Sequence, residues 1–72
     1  MSFLYFTIHR SGHLTECVWL DTSEVVGVWW TTHKMEIHLR GGGTLTWLDQ
    51  PPGVIRQLLE GLKWRIPEDF PN

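Results

Sequence analysis

Seventy-two residues with one cysteine and a net charge of −2 make a single domain at most, burying only about 60% of the surface that the unfolded chain exposes. Cys17 can bridge only to another molecule, which fits a reducing compartment, and the interspersed six Lys/Arg and eight Asp/Glu leave no basic block for nucleic acid. No apolar run approaches the ~18 residues of a membrane span, and MSFLYFTIHR lacks the basic start and cleavage site of a secretory leader, so a soluble cytoplasmic protein is expected.

Phe3 to Arg10 is aromatic and β-branched, with Leu4, Phe6 and Ile8 on one face and Phe3, Tyr5 and Thr7 on the other. Ser11-Gly12 supplies a tight turn, and His13 to Leu20 completes a hairpin. Asp21-Thr22-Ser23-Glu24 has the look of a helix capping box. The valines and Gly27 that follow are poor helix formers, so it reads as a turn into a third strand, Val25 to Thr32. The next turn, Thr32-His33-Lys34, has no glycine to mark it. Met35 to Arg40 alternates cleanly, with Met35, Ile37 and Leu39 inward and Glu36, His38 and Arg40 outward. Gly41-Gly42-Gly43 turns the chain into a fifth strand, Thr44 to Leu48, with Leu45 and Trp47 on one side.

The period then changes. Prolines suit a first helical turn, so Asp49-Gln50-Pro51-Pro52 is a helix start with Asp49 available as its cap. Val54, Ile55, Leu58, Leu59 and Leu62 form one apolar stripe, while Arg56, Gln57, Glu60 and Lys63 face away. Gly61 marks a close approach to the sheet, and Pro67 ends the helix. Five strands and then a helix predict an α+β domain over residues 1–66. It is an antiparallel five-stranded meander covered on one face by the helix, followed by an extended tail, 67–72, anchored by Phe70.

Tryptophan is the compositional oddity. Trp19, Trp29, Trp30, Trp47 and Trp64 are more indoles than one thin core needs, and indoles are enriched at binding hot spots. Adjacent residues of a strand point to opposite faces, so Trp29 and Trp30 cannot share one core. If Val26, Val28 and Trp30 turn inward, Trp29 lies outside with Gly27 and Thr31.

Chemistry finds little support in the spacings. His9, His13, His33 and His38 with Cys17 are the only conceivable metal set, and they lack the paired spacing of a zinc site. The glycine run precedes a strand and carries no phosphate-loop signal. Glu16, Glu24, Glu36 and Asp49 show no paired-carboxylate logic, so neither enzymatic activity nor a cofactor is expected. An uncovered sheet face or edge suits a partner protein or a second copy of the chain. The expected contact residues are Trp29, Thr31, Glu36, His38, Arg40 and Trp19. The alternative is single-stranded nucleic acid, with bases stacked on Trp29 or Trp30 beside Lys34, His38 and Arg40.

LDTSEVVGV, KMEIHLRGGGTLTWLD and VIRQLLEGL, within residues 20–62, are similar to the small flagellar regulatory proteins of the FlbD type. The chain departs from them in its tryptophans, its triple glycine and its proline-led helix. The resemblance implies a regulatory, non-catalytic adaptor and carries over no individual residue. In size the chain also resembles the compact inhibitors that phages and mobile elements encode to block a host protein.

Overall fold

Strict alternation carries β1 (Phe3–Arg10) and β2 (Leu14–Asp21) into an antiparallel hairpin in the computed structural model, which describes residues 2–10 and 14–71. The expected Ser11-Gly12 turn and His13 lie outside the described residues. Leu4, Phe6 and Ile8 are buried, and the register sets Leu4 opposite Leu20 and Phe6 opposite Val18 on the same inner face.

The chain does not continue as one meander. Its strands form two sheets, the hairpin β1-β2 and a three-stranded sheet built from β3 (Val25–Trp30), β4 (Lys34–Leu39) and β5 (Thr44–Leu48). The cause lies between β2 and β3, where Thr22–Glu24 form one turn of 3₁₀ helix rather than a hairpin loop. Asp21 Oδ1 accepts hydrogen bonds from both the amide and the hydroxyl of Ser23, fixing that turn. The Arg40 amide donates to the Glu24 carbonyl, which ties the turn to the end of β4. β3 therefore leaves the hairpin and finds β4 as its neighbour.

A β-bulge at the start of β3 corrects the inward assignment of Val26. The pairing steps from Val25–Leu39 to Gly27–His38, so Val26 is the extra residue and stands exposed while Val25 is buried. Beyond the bulge the expected phase holds. Val28 and Trp30 pack against the core beside Ile37 and Met35, and Trp29 points out opposite Glu36.

The glycine-free turn after β3 is built by a side chain. Thr31 Oγ1 accepts from the amides of His33 and Lys34 at 3.1 Å each, and the Thr31 amide donates to the Lys34 carbonyl. At the opposite end of β4, Gly41 and Gly42 take positive φ values of 91° and 99°, the conformation for which glycine is needed.

Helix α1 (Pro52–Leu62) buries Val54, Ile55, Leu58 and Leu59, and Leu62 lines the same core less deeply. Asp49 does not cap it. Asp49 takes φ 54° and spends its amide on the His33 carbonyl, and Pro51 occupies the cap position without a side-chain bond. A proline in the first turn has no N–H to leave unpaired, so the start tolerates this. The helix stops before Pro67 because Lys63 turns left-handed at φ 61°. Its amide then reaches the Glu60 carbonyl and that of Trp64 the Leu59 carbonyl, closing the last turn.

The helix seats on β1, where a Cβ on Gly61 would collide with Leu4 Cδ1, as the close approach inferred from sequence requires. Gln50 joins the hairpin to the other sheet. Its side-chain amide accepts from the His9 amide and donates to the His9 and Leu48 carbonyls, giving the edge of β1 a substitute for a neighbouring strand. Inside, Phe6 meets Trp47 edge-on at 6.1 Å between centroids. Residues 67–70 make a turn closed by the Phe70 amide on the Pro67 carbonyl, which brings the Phe70 ring 5.3 Å from that of Trp30. No helix is long and apolar enough to cross a membrane among the described residues.

Candidate protein-binding faces

Trp29, Glu36 and His38 come together on the outer face of the three-stranded sheet. Pairing places Gly27 beside His38, Trp29 beside Glu36, and Lys34 beside Leu48. The Trp29 indole leans back over Gly27, where a Cβ would meet its Cζ3 at 2.8 Å, and lies 4.4 Å from the His38 ring. Glu36 bridges this face, with Lys34 Nζ at 3.5 Å and His38 Nε2 at 3.7 Å from its two oxygens. The second separation exceeds hydrogen-bond length, and His38 Nε2 is buried with no hydrogen-bond partner. Trp29 is 59% exposed, yet it already roofs a glycine and a histidine. The indole that cannot enter the core thus has local work to do.

The other expected contact residues lie elsewhere. The Thr31 hydroxyl is consumed by its own turn. Arg40 folds its guanidinium toward the Ser23 carbonyl, 3.2 Å from Nη2, and so attends the 3₁₀ turn rather than the row holding Glu36 and His38. Trp19 belongs to the hairpin.

There it stands in a denser cluster. The register brings Tyr5 beside Trp19 and Phe3 beside Asp21 on the outward face, so Phe3, Tyr5 and Trp19 form one aromatic ledge. The Tyr5 and Trp19 rings are 4.9 Å apart at 55°, a tilted contact typical of attractive aromatic pairs. Tyr5 is 47% and Trp19 69% exposed, so the pair contact has not hidden them, and Phe3 on the same face is 63% exposed. The Tyr5 hydroxyl and Cys17 Sγ share a 3.1 Å hydrogen bond, and that bond, the charge of the thiol and slight desolvation raise the phenol above its ordinary pKa. At the rim Asp21 is held below the usual carboxylate range by the Ser23 hydroxyl and then by the Ser23 amide.

Phe3 and Tyr5 were not among the expected contacts. Their spacing at alternate positions puts both on the face away from Leu4, Phe6 and Ile8, and this is visible in sequence. Their placement on one face with Trp19 depends on the hairpin register, which the alternation within a single strand does not give.

No group of three or more His, Cys, Asp or Glu side chains is placed to hold a metal ion among the described residues. No protein-family model, curated protein or solved structure matches the chain.

Proposed function

We propose that the protein is a small non-enzymatic binding module that regulates or inhibits a larger protein by direct contact through an aromatic sheet face. The observation that carries this reading is the ledge of Phe3, Tyr5 and Trp19, three aromatic side chains on the solvent face of a hairpin whose opposite face already supplies the core. Clustered, rigid aromatics bury large area at small entropic cost, which makes such a ledge a candidate hot spot. The Trp29 face is more polar and is internally neutralised by Lys34 and Glu36, so it ranks second as a contact surface. The cations that single-stranded nucleic acid would need are also engaged. Lys34 is paired with Glu36, and Arg40 donates to the Ser23 carbonyl.

The test uses full-length bait with nuclease-treated lysate of the source cells, comparing wild type with Trp19→Ala and Trp29→Ala. A protein retained by wild type should fall at least tenfold with Trp19→Ala and far less with Trp29→Ala, while both variants keep the wild-type melting curve. Equal retention by wild type and Trp19→Ala would remove the ledge from the reading. Retention abolished by nuclease would replace a protein partner with nucleic acid.

A further inference from the structure

Behind the three-stranded sheet lies an open cleft of about 430 Å³, lined by Trp30, Thr32, Asp49, Gln50, Pro51, Pro52 and Pro71. Its walls are an indole and proline rings, and aromatic-lined grooves are surfaces on which proline-containing segments pack. One such segment is already there. The Phe70 ring rests against Trp30, Pro71 lines the cleft beside it, and Arg56 Cζ stands 5.4 Å above the Phe70 ring.

We propose that residues 67–71 are a removable strap, and that the seat it leaves at Trp30 receives a segment of a partner protein carrying an aromatic residue followed by proline. Three observations support this assignment independently of the hairpin ledge. Phe70 is the residue through which 67–71 joins the apolar packing, and the bond from its amide to the Pro67 carbonyl lies within its own turn. The closed state is imperfect, because Trp30 Nε1–H is buried with no acceptor, a donor that a ligand carbonyl would satisfy. The neighbouring polar side chain, Gln50, is saturated by the His9 and Leu48 backbone and so leaves that donor unmatched.

A segment tethered in cis competes with one in trans, and the apparent affinity for the latter falls by the fraction of molecules whose strap is open. Removing the Phe70 ring should therefore tighten binding of an external copy of the strap. The experiment uses the full chain, the synthetic peptide IPEDFP (residues 66–71) and its phenylalanine-to-alanine counterpart, with titration followed by calorimetry. Phe70→Ala should bind IPEDFP at least tenfold more tightly than wild type, should ignore the alanine peptide, and should lose binding when Trp30→Phe is added. Equal affinity of wild type and Phe70→Ala, or no binding by either, overturns the proposal.

Hydrogen exchange on the wild-type chain keeps the question open to refutation if Phe70→Ala fails to fold. The Phe70 amide should exchange at least a hundredfold faster than the slowest amides of β1 and β2. Protection equal to theirs means that the strap belongs to the globally folded unit, and the proposal fails. A wild-type mass that doubles with concentration, while Phe70→Ala stays single, would give the seat to residues 67–71 of a second copy and also overturn it.

Discussion

The two sheets treat their outer faces differently. On the three-stranded sheet Lys34 is matched to Glu36 and Trp29 to Gly27 and His38, while Val26 and Leu48 stand exposed. On the hairpin, Tyr5 and Trp19 meet each other and, with Phe3 on the same face, water. Two strands alone are marginal, so this hairpin depends on what lies behind it. It is held by helix α1 at Gly61, by Gln50 at the edge of β1, and by the Asp21 turn at the end of β2. An exposed aromatic face is therefore carried by an element that depends on its attachments.

Loosening those attachments one at a time separates the sheets energetically. Gln50→Ala should have the largest effect, a loss of about 2–3 kcal/mol in denaturant unfolding, because the part-buried backbone of His9 and the Leu48 carbonyl lose their partners along with the buried amide. Exchange should accelerate in β1 and β2 more than in β4; a uniform acceleration would mean that the two sheets open as one. Gly61→Ala should cost up to about 2 kcal/mol, the strain of about 1–3 kcal/mol from crowding Leu4 less the roughly 1 kcal/mol that alanine adds to a helix. Leu4→Val in the same chain should recover part of that loss, whereas purely additive penalties would deny the contact.

The smallest effect lies in pH. The Asp21 carboxyl is depressed in the folded state, so its contribution is present above the unfolded value of about 3.9 and is lost as pH falls through the lower folded value. Asp21→Asn keeps an acceptor but not the charge, and should flatten the acid limb of the melting temperature below about pH 4. A limb that is unchanged would assign acid sensitivity to other carboxylates.

Much of this was legible because period is a local property. The alternation in Phe3–Arg10 and in Met35–Leu39, the stripe on the helix and the close approach at Gly61 all follow from residues near one another in sequence. What escaped depends on chemistry that a pattern does not encode. A threonine hydroxyl built the turn for which no glycine was present, and a glutamine amide stood in for a strand. The 3₁₀ turn after Asp21, held by that carboxylate, stands between the two sheets. The candidate site was half visible. Trp29 and Trp19 drew notice as surplus indoles, but Phe3 and Tyr5 share a face with Trp19 through a register that neither strand's own pattern gives.

The bulge at Val26 has a consequence for changes in chain length. Val25 and Val28 are three positions apart and both face the core side, an odd spacing that a regular strand forbids and one supernumerary residue permits. A chain shortened by Val26 alone would run Val25, Gly27, Val28 in plain alternation and leave every later side chain on its present face. Removing Gly27 instead would slide a valine beneath the Trp29 ring, into space where even a Cβ is too close. The strand thus holds one dispensable position, directly beside one that its outer indole cannot do without.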